Sequence, residues 1–115
     1  MEQSCRFRGA SGKEYEYLST PLDELDRVPM RSGTYVVAAI GRAGPTFLYC
    51  REARCLRDEL LAAGLAEQRK VSPRLALALY VHPCPDCNKA ARDAEVDDIM
   101  IYYRCAVTGS RREAG

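Results

Sequence analysis

Apolar positions along the chain change period several times, and each change marks a predicted element. Across residues 5–20 (CRFRGASGKEYEYLST), Tyr15 and Tyr17 alternate with acidic residues, the period of two of a half-buried strand. Gly9-Ala10-Ser11-Gly12 supplies a turn, so this segment predicts a hairpin. Leu22, Leu25 and Val28 recur at a spacing of three with acids between them, predicting a short helical turn or packed loop that Pro29 ends. Gly33 to Ile40 (GTYVVAAI) is continuously apolar and β-branched at its centre, as a buried strand is. Gly41-Arg42-Ala43-Gly44-Pro45 has turn composition, and Thr46 to Cys50 returns as an antiparallel strand. From Glu52 to Ala63 the period lengthens, with Ala53, Leu56, Leu60 and Ala63 on one helical face and Gly64 near its C-terminal end.

Leu65 to Val71 predicts a second short helix. The apolar run Leu75 to Val81 (LALALYV) fits a helix or a strand, and its length, flanking Pro73 and Pro83 and Tyr-Val finish favour a buried strand. Between Asn88 and about Tyr103, Val96, Ile99, Met100 and Tyr103 fall at helical spacing. Residues 109–115 (GSRREAG) read as a flexible polar tail behind a single domain spanning 1–108. Strands, helix, strand, helix in that order predict a small α+β domain with a mainly antiparallel sheet.

Length and composition narrow the class. At 115 residues, 47% of them hydrophobic, the chain can bury one modest core and is not disordered. Seventeen basic against sixteen acidic side chains, a net +1, exclude a whole-surface grip on nucleic acid, though a local patch remains possible. The cations are mostly Arg, which suits bidentate phosphate contacts and is also what a GC-rich coding sequence produces. No run has the length of a membrane span and the first residues lack a signal-peptide core, so the expectation is a cytoplasmic protein with reduced thiols and no membrane partner.

Six cysteines are many for such a protein. Cys50 and Cys55 sit in apolar patterns and read as small buried hydrophobes. His82-Pro83-Cys84-Pro85-Asp86-Cys87 alone has ligand-like spacing. It admits three readings: a zinc site with Cys105 or Cys5 as fourth ligand, a redox or disulfide pair, or a proline-rigidified loop with incidental thiols. His82, the single histidine, is a general base if a partner and pocket surround it and a hydrogen-bonded structural residue otherwise. Asp97 and Asp98 read as solvated surface. Arg51, Arg54 and Arg57, with Arg69, Lys70 and Arg74, are a basic stripe suited to DNA, but Glu52, Asp58, Glu59 and Glu67 interleave with them.

Phe7-x-Gly9-Ala10-Ser11-Gly12, Val28-Pro29 leading to Gly33-Thr34-Tyr35, Leu48-Tyr49 followed by a helix, and a late helix carrying Glu95 together resemble the GIY-YIG nuclease superfamily, in its small stand-alone members. The resemblance spans about Phe7 to Tyr103. It implies a compact sandwich around a three-stranded antiparallel sheet, with the N-terminal hairpin beside it, and DNA phosphodiester cleavage with one divalent metal. By that likeness Tyr35 and Tyr49 flank the attacking water and Glu95 holds Mg²⁺, an ion that keeps most of its waters. The match is partial. The glycine expected two residues after Tyr49 is Arg51, the helix arginine falls at Glu59, and the asparagine expected after the last helix has no counterpart in Arg104-Cys105-Ala106-Val107.

Losing one electrostatic stabiliser slows such a reaction by ~100–1000-fold. Arg54 and Arg57 turn away from the Glu59 direction. Arg51 and Glu59 are expected to neutralise each other across the pocket. The resemblance thus implies a catalytically degenerate binding or regulatory module, an inhibitor or accessory factor with a protein or DNA partner. A metal-dependent endonuclease with a rearranged site and a zinc-stabilised interaction domain are the alternatives.

Overall fold

The computed structural model describes residues 4–42, 44–64 and 76–114, with side chains in all but 44, 45 and 104–114. The second short helix expected over 65–71 and the start of the strand at Leu75 lie outside the described residues. Strands β1 (Ser4–Arg8) and β2 (Glu14–Thr20) form the expected hairpin, and a 3-10 helix (Leu22–Arg27) follows. Strands β3 (Gly33–Gly41) and β4 (Gly44–Ala53) pair antiparallel, with Gly41 opposite Gly44. Helix α1 (Leu56–Ala62), strand β5 (Ala76–Pro83) and helix α2 (Lys89–Ala114) complete the order.

The strands form one five-stranded sheet in the order β1-β2-β5-β3-β4, antiparallel throughout. The three-stranded sheet of the GIY-YIG-like expectation is therefore corrected. The hairpin joins the sheet because Leu18, Ser19 and Thr20 of β2 pair with Val81, Tyr80 and Leu79 of β5. From Ala76 onward the run LALALYV is strand, as its flanking prolines suggest, and it lies between β2 and β3.

Helix α1 starts at Leu56 rather than Glu52, because Glu52 and Ala53 extend β4 opposite Thr34 and Gly33. The helical spacing misleads there. Ala53 at the strand end and Leu56 and Leu60 on the helix enter the same core cluster, so both geometries satisfy the pattern. Asn88 caps α2, its Oδ1 accepting from the Ala91 amide at 2.8 Å. Helical backbone runs on to Ala114, through the residues expected as a polar tail.

Strand alternation divides the core into two layers. One face carries Tyr35, Val37, Leu79 and Val81 under Leu22, Leu25, Val28, Leu56 and Leu60 of the 3-10 helix and α1. The other carries Phe7, Tyr17, Val36 and Cys50 under Ile99, with Val96, Met100 and Tyr103 of α2 beside it. The α2 stripe read from the sequence is the buried one. Among the described residues no helix is long and apolar enough to cross a membrane.

Candidate functional site

On the α1 face, Tyr35 is fully buried and its ring meets that of Tyr49 edge to face, centroids 6.4 Å apart. The Tyr35 hydroxyl donates to Glu59 Oε2 at 3.1 Å. Burial, then the charge and hydrogen bond of Glu59, push the Tyr35 phenol well above its ordinary value, so it is a protonated donor at neutral pH. The guanidinium of Arg51 lies 4.5 Å from the centroid of the Tyr49 ring. Glu59 is thus bonded to Tyr35, and among the described residues Arg51 forms no salt bridge with it; the expected ion pair is replaced by these two aromatic contacts. Glu52, Asp58 and Glu59 line an open groove with Arg54, Cys55 and Ala62 beside it. Arg57 Nε donates to the Val28 carbonyl at 2.8 Å, tying α1 to the 3-10 segment. Arg54 is exposed.

Glu95 lies on the other face. Its Oε2 accepts from the Tyr17 hydroxyl at 2.6 Å, from Thr34 Oγ1 at 2.6 Å and from His82 Nδ1 at 2.8 Å. A carboxylate only accepts, so Nδ1 of His82 carries the proton. Desolvation raises the Glu95 pKa, but the bonds from His82, Thr34 and Tyr17 outweigh it and hold the carboxyl below its ordinary value. The Tyr17 phenol is driven strongly upward, by burial first. Cys50, whose Sγ is 3.7 Å from the Tyr17 hydroxyl, is pushed up to about 12 by burial, so it is a thiol and an inert one.

These residues form a row that crosses the sheet. Cys5 pairs with Tyr17, Thr34 pairs with both His82 and Glu52, and the Tyr17 and His82 rings stand 5.3 Å apart. One line of Cys5, Tyr17, His82, Thr34 and Glu52 therefore spans all five strands, and α2 covers it with two charges. Glu95 meets the middle of the row, and Arg92, one helical turn earlier, donates from Nε to Glu52 Oε2 at 2.9 Å. Arg92 is 7% exposed, and its Nη1 also donates to the Cys87 carbonyl at 2.7 Å. The row was legible only indirectly. Arg92 and Glu95 occupy the same helical stripe as Val96, Ile99 and Tyr103, and charges in an apolar stripe signal a buried pair.

A second use of α2 was read as solvent. Asp98 fastens the β1–β2 turn: its Oδ1 accepts the Ser11 amide at 2.8 Å, and Oδ2 the Ser11 hydroxyl at 2.7 Å and the Tyr15 hydroxyl at 2.9 Å. The glycine of Phe7-x-Gly9 has its reason here, since a Cβ on Gly9 would collide with the Asp98 carboxylate.

The structure thus brings Tyr35, Tyr49, Arg51 and Glu59 together and leaves Glu95 across the sheet from them. Cys84 and Cys87 are joined as a disulfide, against the expectation of reduced thiols, and in that state neither offers zinc a thiolate. His82 turns Nδ1 to Glu95, and among the described residues no group of three or more His, Cys, Asp or Glu side chains is placed to hold a metal ion. Fold and site define a small antiparallel α+β domain with a charged, hydrogen-bonded row at its core. No protein-family model, curated protein or solved structure matches the chain.

Proposed function

We propose that this domain is a non-catalytic binding module, and that the surface around Tyr49, Arg51 and Arg54 meets its ligand. The observation that carries this reading is the opposition of faces. A metal held by Glu95 has the thickness of the sheet between it and any water beside Tyr35 and Tyr49. The Glu95 oxygen is also already committed to three donors. Glu59 sets a carboxylate, bonded to the Tyr35 hydroxyl, where a phosphodiester would need a cation as its charge develops.

What the surface does offer is the Arg51 guanidinium 4.5 Å from the centroid of the Tyr49 ring, with a second exposed arginine, Arg54, three residues on. That combination stacks on a planar base and contacts a phosphate, so a short single-stranded nucleic acid is the ligand class it suits. The test has two readings on one preparation. Plasmid incubated with the protein and Mg²⁺ or Mn²⁺ stays intact, as it does with Glu95→Ala. Labelled single-stranded oligonucleotides gain anisotropy with the native chain and lose most of that gain with Arg51→Ala. Cleavage that disappears in Glu95→Ala overturns the non-catalytic reading, and binding that ignores Arg51→Ala overturns the placement of the surface.

A further inference from the structure

The disulfide Cys84–Cys87 takes no part in the surface described above. We propose that it is a redox-active centre that exchanges electrons with a cysteine-bearing polypeptide segment. Three observations converge on it. First, the bridge spans a sequence separation of 3, so it closes a very small loop and constrains the unfolded chain little, unlike a disulfide kept for stability. The fold around it is secured by other means. The Cys84 amide donates to the Ser32 carbonyl at 2.9 Å, Ser32 Oγ donates to the Cys84 carbonyl at 3.2 Å, and Arg92 holds the Cys87 carbonyl. Opening the sulfur bridge leaves this scaffold in place.

Second, both cysteines are partly exposed, with Pro85 and Asp86 exposed between them, so an incoming thiolate can reach the bridge. Third, a cleft of about 490 Å³ has Pro83, the residue before Cys84, in its lining. Its walls are Leu18, Thr20, Val28 and Pro29, with Glu24 and Arg27 at the 3-10 helix. This mix of apolar wall and hydrogen-bonding rim suits an extended peptide more than a small thiol.

The exchange balances without any further reagent. A substrate thiolate attacks one sulfur of the bridge, the S–S bond breaks, and the other sulfur leaves as thiolate in a mixed disulfide. A second substrate thiolate attacks the substrate sulfur of that mixed disulfide and releases the remaining protein cysteine. Two electrons pass from two substrate thiols to Cys84 and Cys87, and the substrate leaves as its disulfide. The reverse sequence reduces a substrate disulfide.

The experiment reacts the full chain with a dithiol-containing model peptide, with dithiothreitol, and compares it with an unstructured peptide bearing an oxidised Cys-Pro-Asp-Cys. Free thiols are counted by mass spectrometry after alkylation. Expected are reversible uptake of two electrons per chain with circular dichroism unchanged, and reaction with the model peptide about tenfold faster than that of the unstructured control. Cys84→Ser or Cys87→Ser traps a mixed disulfide with an oxidised peptide. Arg27→Glu, on the cleft rim, reduces the rate with the model peptide and leaves that with dithiothreitol unchanged. Isolation with stoichiometric zinc, a bridge that opens only when the protein unfolds, or a rate equal to the unstructured control overturns the proposal.

Discussion

Three donors converge on one carboxylate oxygen of Glu95, and removing it strips His82 of its acceptor and leaves the Tyr17 and Thr34 hydroxyls only each other, at 2.7 Å. Glu95→Ala is therefore expected to lower unfolding free energy by ~3 kcal/mol, and Tyr17→Phe, which deletes one charge-assisted bond, by ~2 kcal/mol, both read from urea melts. The pH dependence follows from the direction of the Glu95 shift. Its folded pKa lies below the ordinary 4.5, so the stabilisation is complete above that pH and drains away as pH falls through the folded value. Asp98 acts in the same direction, held down chiefly by the Ser11 hydroxyl and amide. Melts taken from pH 6 downward should show a loss in the native chain that shrinks in Glu95→Gln. A steeper loss in that variant contradicts the assignment. Gly9→Ala should displace the Asp98 carboxylate and speed amide hydrogen exchange at Ser11, with Ile99 unaffected.

Helix α2 binds the sheet in two zones. Arg92 and Glu95 meet the polar row near its start, and Val96, Ile99, Met100 and Tyr103 meet the aromatic layer further on, where Tyr103 stacks on Phe47 at 4.4 Å between centroids. Arg92→Ala leaves Glu52, which is 19% exposed, with Lys89 Nζ at 3.6 Å as its remaining cation, and is expected to cost ~1–2 kcal/mol. The double variant with Glu52→Ala should recover part of that, and fully additive losses contradict the pairing. The elements themselves were largely legible, because period-two and helical spacings survive in β2, β3 and α2. The start of α1 was not, since Ala53 packs equally well at the end of a strand. Nor was the role of Thr34, which sits inside an apolar run and gives no sign of its cross-strand partners.

At the scale of the molecule, what decides function is which face each side chain takes. A strand sends neighbouring residues to opposite faces, so Thr34 and Tyr35 part company although they are adjacent. The family resemblance therefore groups Glu95 with Tyr35 and Tyr49, whereas three-dimensional placement keeps the two tyrosines together and sets Glu95 on the opposite face. Sequence order also hides the five-strand row, which needs the β2–β5 pairing that no local pattern encodes. A double-mutant cycle tests this arrangement directly, with Tyr17→Phe and Glu95→Gln as one pair and Tyr35→Phe and Glu95→Gln as the other. The structure predicts a coupling of ~1–2 kcal/mol for Tyr17 with Glu95 and additivity within ~0.5 kcal/mol for Tyr35 with Glu95. Strong coupling of Tyr35 to Glu95, with none for Tyr17, would place the phenol and the acid in one pocket and contradict the account.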